Sequence, residues 1–125
     1  MAAYTIGEFA ELTGLTVHTL RYYEREALMT DVSRDELGRR IYGEAHRVAV
    51  AFIRALRDTG MPVTTIRHYM ELYREGEHTV DARMRLLQEH ERLVSERLDS
   101  TQQNLEQIRR KIASYEQALR GAVDH

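Results

Sequence analysis

From Val80 onward the apolar residues fall into a single register: Val80, Met84, Leu87, Glu91, Val94, Leu98, Thr101, Leu105, Ile108, Ile112, Tyr115 and Leu119. Steps of four and three alternate without a slip for about five and a half heptads, the a/d pattern of a coiled coil, interrupted only by Glu91 and Thr101. A helix of that extent is ~60 Å long at ~1.5 Å per residue. The ~75 residues before it make a head too small to cover such a rod. No second long helix is available to pair with it, so the seam needs another chain, and an identical one suffices. We therefore expect a dimerisation helix over residues 77–120 that pairs through Met84, Leu87, Val94, Leu98, Leu105, Ile108, Ile112 and Tyr115. Gly121 is expected to end it, leaving 121–125 as a short tail. Glu91 in the seam reads as a register device or a hydrated gap.

Residues 1–76 have a different grammar, with short periodic segments separated by turn signals. Thr5-Ile6-Gly7-Glu8 has the form of a capping box, and Ile6, Phe9, Ala10 and Leu12 supply an apolar face behind it. Gly14 ends this helix and Thr16 is placed to cap the next. Two short helices joined by a glycine turn form a helix-turn-helix pattern. In the second, Val17, Leu20 and Leu28, with Ala27 beside them, cluster on one stripe, while Tyr22 lands nearly opposite and Tyr23 at the stripe's edge. Residues 30–43 read as a hairpin with Gly38 at the turn and Ile41-Tyr42 as strand. A third helix over about 44–59 carries Ala45, Val48, Phe52, Ile53 and Leu56; a fourth, opened by Val63 or Thr64, carries Ile66, Tyr69, Met70 and Tyr73.

A dimer of such heads would present two copies of the Thr16–Leu28 helix, the arrangement that reads two-fold related half-sites in duplex DNA. Arg21 and Tyr22 are then candidates for phosphate contacts, and His18 and Thr19, near the helix N-terminus, for base edges. The net charge of −2 does not advertise a nucleic-acid binder, so the case rests on local placement.

In sequence order these features resemble the MerR family of bacterial transcription regulators over almost the whole chain. Thr19-Leu20-Arg21-Tyr22-Tyr23-Glu24 matches the family's T-x-R-Y-Y-E run, and Arg34, Gly38, Arg40 and Tyr42 match its wing. "LRDTGMPVTTIRHYMEL" resembles the following helix pair. The resemblance implies a mainly α fold, a winged helix-turn-helix head followed by a long C-terminal helix paired as an antiparallel coiled coil. It implies that Arg21 and Tyr22 anchor the phosphate backbone, that Arg40 reaches the backbone or the adjacent minor groove, and that Tyr42 braces the wing. Arg39 has the weaker claim, since the family usually places an aromatic or polar residue there. The expected DNA-binding set is thus Thr16, His18, Thr19, Arg21, Tyr22, Arg39, Arg40 and Tyr42. Double-stranded promoter DNA, a second copy of the chain and RNA polymerase at the promoter are the implied partners. Family members bend and untwist an overlong promoter spacer, a deformation of order 1–10 kcal/mol offset by contacts across the dimer.

This chain departs from the family pattern at three points. Ala27-Leu28-Met29 stands where glycine and two leucines are usual; if that backbone is left-handed, alanine costs ~1 kcal/mol, and the preferred expectation is a slightly longer helix. The usual proline before the wing is missing. "FIRALRDTGMP" resembles the electrophile-sensing subgroup, but Ala55 occupies the position of its reactive cysteine, and a methyl group cannot be alkylated or oxidised.

The absence of cysteine excludes disulfides and thiolate metal sites. The histidines at 18, 46, 68, 78, 90 and 125 show no ligand spacing, so no metal or other cofactor is expected. No nucleophile–base pair, phosphate-cradling glycine loop or carboxylate dyad suggests catalysis, and the expectation is a non-enzyme. Tyr69, Met70 and Tyr73 read either as core packing or as the wall of an effector pocket. With no apolar span and no signal-like N-terminus, cytoplasmic placement and no membrane partner are expected. The competing reading is a helical coiled-coil adaptor for a protein partner, without specific DNA binding.

Overall fold

The computed structural model of the chain describes residues 3–123; His125 and the end of the expected tail lie outside the described residues. The fold is mainly helical. Five α-helices are present among the described residues, α1 (Ile6–Thr13), α2 (Val17–Arg25), α3 (Glu44–Asp58), α4 (Val63–Glu75) and α5 (Val80–Val123). A two-stranded hairpin of β1 (Ser33–Arg34) and β2 (Arg40–Ile41) separates α2 from α3, and a 3-10 turn at Glu77–Thr79 precedes α5.

The capping box opens α1: Thr5 Oγ1 accepts from the Glu8 N–H at 3.2 Å, and the Thr5 N–H donates to Glu8 Oε1 at 2.8 Å. Gly14, at φ 73°, closes the helix by donating to the Ala10 carbonyl at 2.9 Å. Thr16 then caps α2, its Oγ1 accepting from the Thr19 N–H at 3.0 Å. Three residues therefore reverse the chain between two helices.

The end of α2 corrects the expectation of a longer helix. Ala27 is left-handed, φ 59°. Its N–H donates to the Glu24 carbonyl at 3.1 Å and the Leu28 N–H to the Tyr23 carbonyl at 2.9 Å, which is the Schellman closure. Burial explains why alanine accepts a conformation suited to glycine: the closure directs Leu28 and Met29 into the core, where both are essentially inaccessible. Tyr23, expected at the edge of the stripe, is also buried.

The wing forms as expected, with Ser33 opposite Ile41, Arg34 opposite Arg40 and Gly38 at φ 80° in the turn. Just beyond β2, Tyr42 pairs its backbone with Tyr4 through two 2.8 Å hydrogen bonds. This bridge ties the hairpin to the approach to α1.

The core of the head gathers Phe9, Leu20, Tyr23, Leu28, Tyr42, Val50, Ile53, Leu56, Met61 and Ile66. Phe9 stacks on Tyr42 with ring centroids 4.7 Å apart. Only part of the expected α3 stripe is interior. Val50, Ile53 and Leu56 are buried, whereas Val48 is 70% exposed, Phe52 is at the surface and Ala45 is exposed. The apolar arc of α3 is too wide for one core face, and its outer edge meets α4 instead.

The chain divides into two compact units, the first reaching Leu86 and the second beginning at Leu87. The first thus extends past the boundary expected at residue 76 and includes the opening turns of α5. In the second unit α5 continues to Val123, so Gly121 does not end the helix as expected. Glycine weakens a helix by ~1 kcal/mol but removes no hydrogen bond. Leu98, Leu105, Ile108, Ile112, Tyr115 and Leu119 are all exposed along this helix. No helix among the described residues is long and apolar enough to cross a membrane.

Candidate nucleic-acid interface

The outward side of α2 lies between two recesses lined by arginine. One, of about 220 Å³, is walled by Thr5 and Ile6 at the start of α1, Arg21 on α2, and Arg34, Gly38, Arg39 and Arg40 on the wing. The other, of about 480 Å³, is walled by Leu15, His18, Thr19, Tyr22 and Tyr23 together with Arg54, Arg57 and Asp58 of α3. Helix periodicity produces this division: Arg21 leans to the wing side, and His18, Thr19 and Tyr22 to the α3 side.

Several side chains here are held in place. Arg40 Nε donates to Glu24 Oε2 at 2.7 Å, a half-buried ion pair that locks the wing onto α2. Asp35 organises the wing turn: Oδ1 accepts from the Leu37 and Arg39 N–H groups at 2.9 Å each, and Oδ2 from Arg39 Nε at 2.9 Å. The Arg39 backbone bond, with the other donors around it, holds the Asp35 carboxyl below the ordinary carboxylate range. Arg34 Nη1 reaches the Gly38 carbonyl at 2.7 Å. The Arg25 guanidinium sits 5.8 Å from the centroid of the Tyr22 ring, and Tyr22 is half-buried. On the other flank, Arg54 Nη1 donates to the Thr13 carbonyl at 3.0 Å, fastening the helix-turn-helix reversal to α3.

The expected DNA-binding residues sort accordingly. His18, Thr19 and Tyr22 meet in the α3-side recess, and Arg21, Arg39 and Arg40 in the wing-side one. Thr16 is exposed, with its hydroxyl occupied in capping α2 and in a 3.0 Å bond to Thr19 Oγ1. Tyr42 must be corrected as a contact residue: it is fully buried against Phe9, so it supports the wing from beneath and offers no surface to a ligand. Burial raises its phenol above the ordinary tyrosine value. Sequence reasoning missed Arg54 and Arg57. Both fall on the polar side of α3, flanking buried Ile53 and Leu56, but nothing local in the sequence places that side beside α2.

Tyr69, Met70 and Tyr73 also come together, away from this face. With Ala45, Val48, Ala49 and Phe52 they line an apolar recess of about 360 Å³ between α3 and α4. Phe52 and Tyr69 form a tilted ring pair at 5.5 Å. Met70 is largely buried and Tyr73 exposed, so the stripe is core at one edge and surface at the other. No group of metal-ligating side chains occurs among the described residues.

Comparisons with known proteins agree with this architecture. The MerR HTH family regulatory protein pattern matches residues 4–72, and the pattern described as MerR, DNA binding matches residues 47–111. The transcriptional regulator AdhR of Bacillus subtilis is 39% identical over 82 residues, covering 66% of this chain and 59% of AdhR. HiNmlR, a MerR family regulator lacking the sensor domain and solved bound to promoter DNA, superposes with a TM-score of 0.86 at 28% identity, covering 94% of this chain and 93% of that one. A MerR family transcriptional regulator of Bacillus thuringiensis superposes with a TM-score of 0.82 at 34% identity, covering 90% and 99%.

Proposed function

Because the chain belongs to the MerR family of helix-turn-helix DNA-binding transcription regulators, we propose that it works as a homodimer on a near-palindromic promoter site, with α2 of each copy in the major groove. The observation that carries this reading is the placement of an arginine-lined recess on each side of α2. A helix lying in the major groove has a phosphate chain on either flank, and positive charge is needed on both. Arg21, Arg34, Arg39 and Arg40 would grip one chain, Arg54 and Arg57 the other. His18 and Thr19, on the first turn of α2, are left facing the base edges.

The seam of α5 from Met84 to Tyr115 supplies the dimer in this reading, because an exposed apolar stripe of that length is stable in water only when paired. Two heads held at a fixed spacing on opposite ends of one site would bend and untwist the DNA between them. RNA polymerase at the promoter is the partner on which that distortion acts. We assign the candidate effector site to the recess of Tyr69, Met70 and Tyr73, whose volume falls within the ~300–1,000 Å³ of small-molecule sites.

Fluorescence anisotropy with a duplex taken from upstream of the protein's own gene tests the reading. Saturable binding is expected, weakened about tenfold or more by Arg21→Ala or Arg57→Ala, and by similar factors on unrelated sequences, as phosphate contacts require. Absence of saturable binding by the unmodified protein would favour the adaptor reading instead.

A further inference from the structure

The wing leaves and rejoins the helices at two feet, Thr30 before β1 and Gly43 after β2, and one imidazole touches both. His46, on the first turn of α3, accepts at Nδ1 from the Gly43 N–H at 3.1 Å, while its Nε2 lies 3.2 Å from the Thr30 carbonyl oxygen. A backbone N–H can only donate and a carbonyl can only accept. The two partners together assign the ring as neutral, with its proton on Nε2. The same ring meets Tyr42 edge-on, with centroids 5.9 Å apart. We propose that His46 is a positioning residue for the DNA-binding wing, clamping its two feet only while the imidazole is neutral, so that acidification loosens the wing and weakens DNA binding. This rests on the DNA-binding reading above.

The physical argument turns on Nδ1. A glutamate or glutamine three residues after a helix N-cap commonly accepts from the cap N–H. Here an imidazole takes that place. Adding a proton at Nδ1 converts the acceptor into a donor pointed at the Gly43 N–H, so one hydrogen bond is lost and two N–H groups oppose each other. Around the ring lie the following charged and titratable groups. On the Thr30 side are Asp31 and Arg74 of α4, whose Nη1 reaches Thr30 Oγ1 at 3.2 Å. On the strand side is the Tyr42 phenol. Tyr4 donates its hydroxyl to Glu44 Oε1 at 3.1 Å, and Glu44 and Arg47 pair along His46's own helix at 3.6 Å. Of the two carboxylates, Glu44 is paired with Arg47 and Asp31 Oδ2 accepts from the Thr30 hydroxyl at 3.5 Å. Neither ring nitrogen is bonded to a carboxylate, so no ion pair compensates for the bond lost at Nδ1.

The test compares wild type with His46→Gln on one duplex from pH 7.5 to pH 5.5. Glutamine keeps an acceptor for the cap N–H and a donor for the Thr30 carbonyl, and it does not titrate. Taking the affinity ratio cancels the pH dependence common to both proteins. The two proteins should bind within about twofold at pH 7.5, and wild type should be about fivefold to tenfold weaker than the variant at pH 5.5, the scale of a lost hydrogen bond. A ratio that stays constant with pH overturns the proposal.

Nuclear magnetic resonance of the DNA-free wild type keeps the question answerable if the variant does not fold. The His46 ring should carry its proton on Nε2 at pH 7.5, and the Gly43 and Arg40 amide signals should shift together with the ring on acidification. An Nδ1–H tautomer, a ring already protonated at pH 7.5, or wing amides indifferent to the ring would overturn it. Failure of wild type to bind DNA at any pH would instead refute the DNA-binding reading, while the ring assignment stands or falls on these spectra.

Discussion

Replacing Ala27 with glycine should stabilise the protein, although the same exchange destabilises an ordinary helix. Ala27 has φ 59° and forms the left-handed step of the closure that ends α2. That conformation costs an L-residue ~1–2 kcal/mol, while glycine loses ~0.5–1 kcal/mol more chain entropy on folding. The expected net gain for Ala27→Gly is therefore about 0.5–1 kcal/mol, with the closing hydrogen bonds from Leu28 and Met29 to Tyr23 unchanged. Urea unfolding followed by circular dichroism, at one fixed protein concentration, measures it. With a slope of ~2 kcal/mol per molar, the midpoint should rise by about 0.3–0.5 M. Ala113→Gly, in the exposed helical part of α5, is the matched control and should lose ~1 kcal/mol. If both substitutions destabilise to the same extent, Ala27 is helical and the closure described here is wrong.

Three further outcomes follow from the same geometry. Tyr42→Phe should be neutral or stabilising by about 1 kcal/mol in thermal unfolding, because the buried hydroxyl has no hydrogen-bond partner among the described residues; a clear loss would reveal a partner. Ile108→Asp should convert the protein to a monomer in analytical ultracentrifugation, since it places a charge in the seam, and an unchanged dimer would remove α5 from the interface. The Asp35 carboxyl is depressed by its bonds from Arg39 and Leu37, so its contribution to the wing is complete above the ordinary carboxylate range and is lost as pH falls through and below it. Hydrogen exchange at the Leu37 and Arg39 amides should accelerate over that acid range, and equal protection at pH 3 and pH 6 would contradict the assignment.

Much of the fold was legible because local chemistry and tertiary structure agree. The capping box at Thr5–Glu8, the left-handed Gly14, the Thr16 cap and the Gly38 turn each carry a signal that does not depend on the rest of the chain. The failures are places where packing overrode local preference. Alanine carries no hint of a left-handed backbone, and only the burial of Leu28 and Met29 reveals why Ala27 adopts one. The α3 pattern of Val48, Phe52, Ile53 and Leu56 shows an apolar arc without saying which edge meets the core. Tyr42 sits among arginines in sequence, yet the strand pleat and the Tyr4 bridge turn it inward onto Phe9. On the candidate interface, Arg21 and Tyr22 stood out because Val17, Leu20 and Leu28 form an apolar stripe that leaves Tyr22 nearly opposite it. Arg54 and Arg57 line a recess with His18, Thr19 and Tyr22 only because α1 packs against both α2 and α3, which no local spacing encodes.

The central claim, that the arginines flanking α2 grip DNA phosphates from both copies of a dimer, is tested most directly by the salt dependence of binding. The logarithm of affinity should fall linearly with the logarithm of salt concentration, and Arg21→Ala should make that slope shallower by about 1.8, or ~0.9 for each of two lost contacts. A slope identical to that of the unmodified protein would mean that Arg21 touches no phosphate and that the interface lies elsewhere.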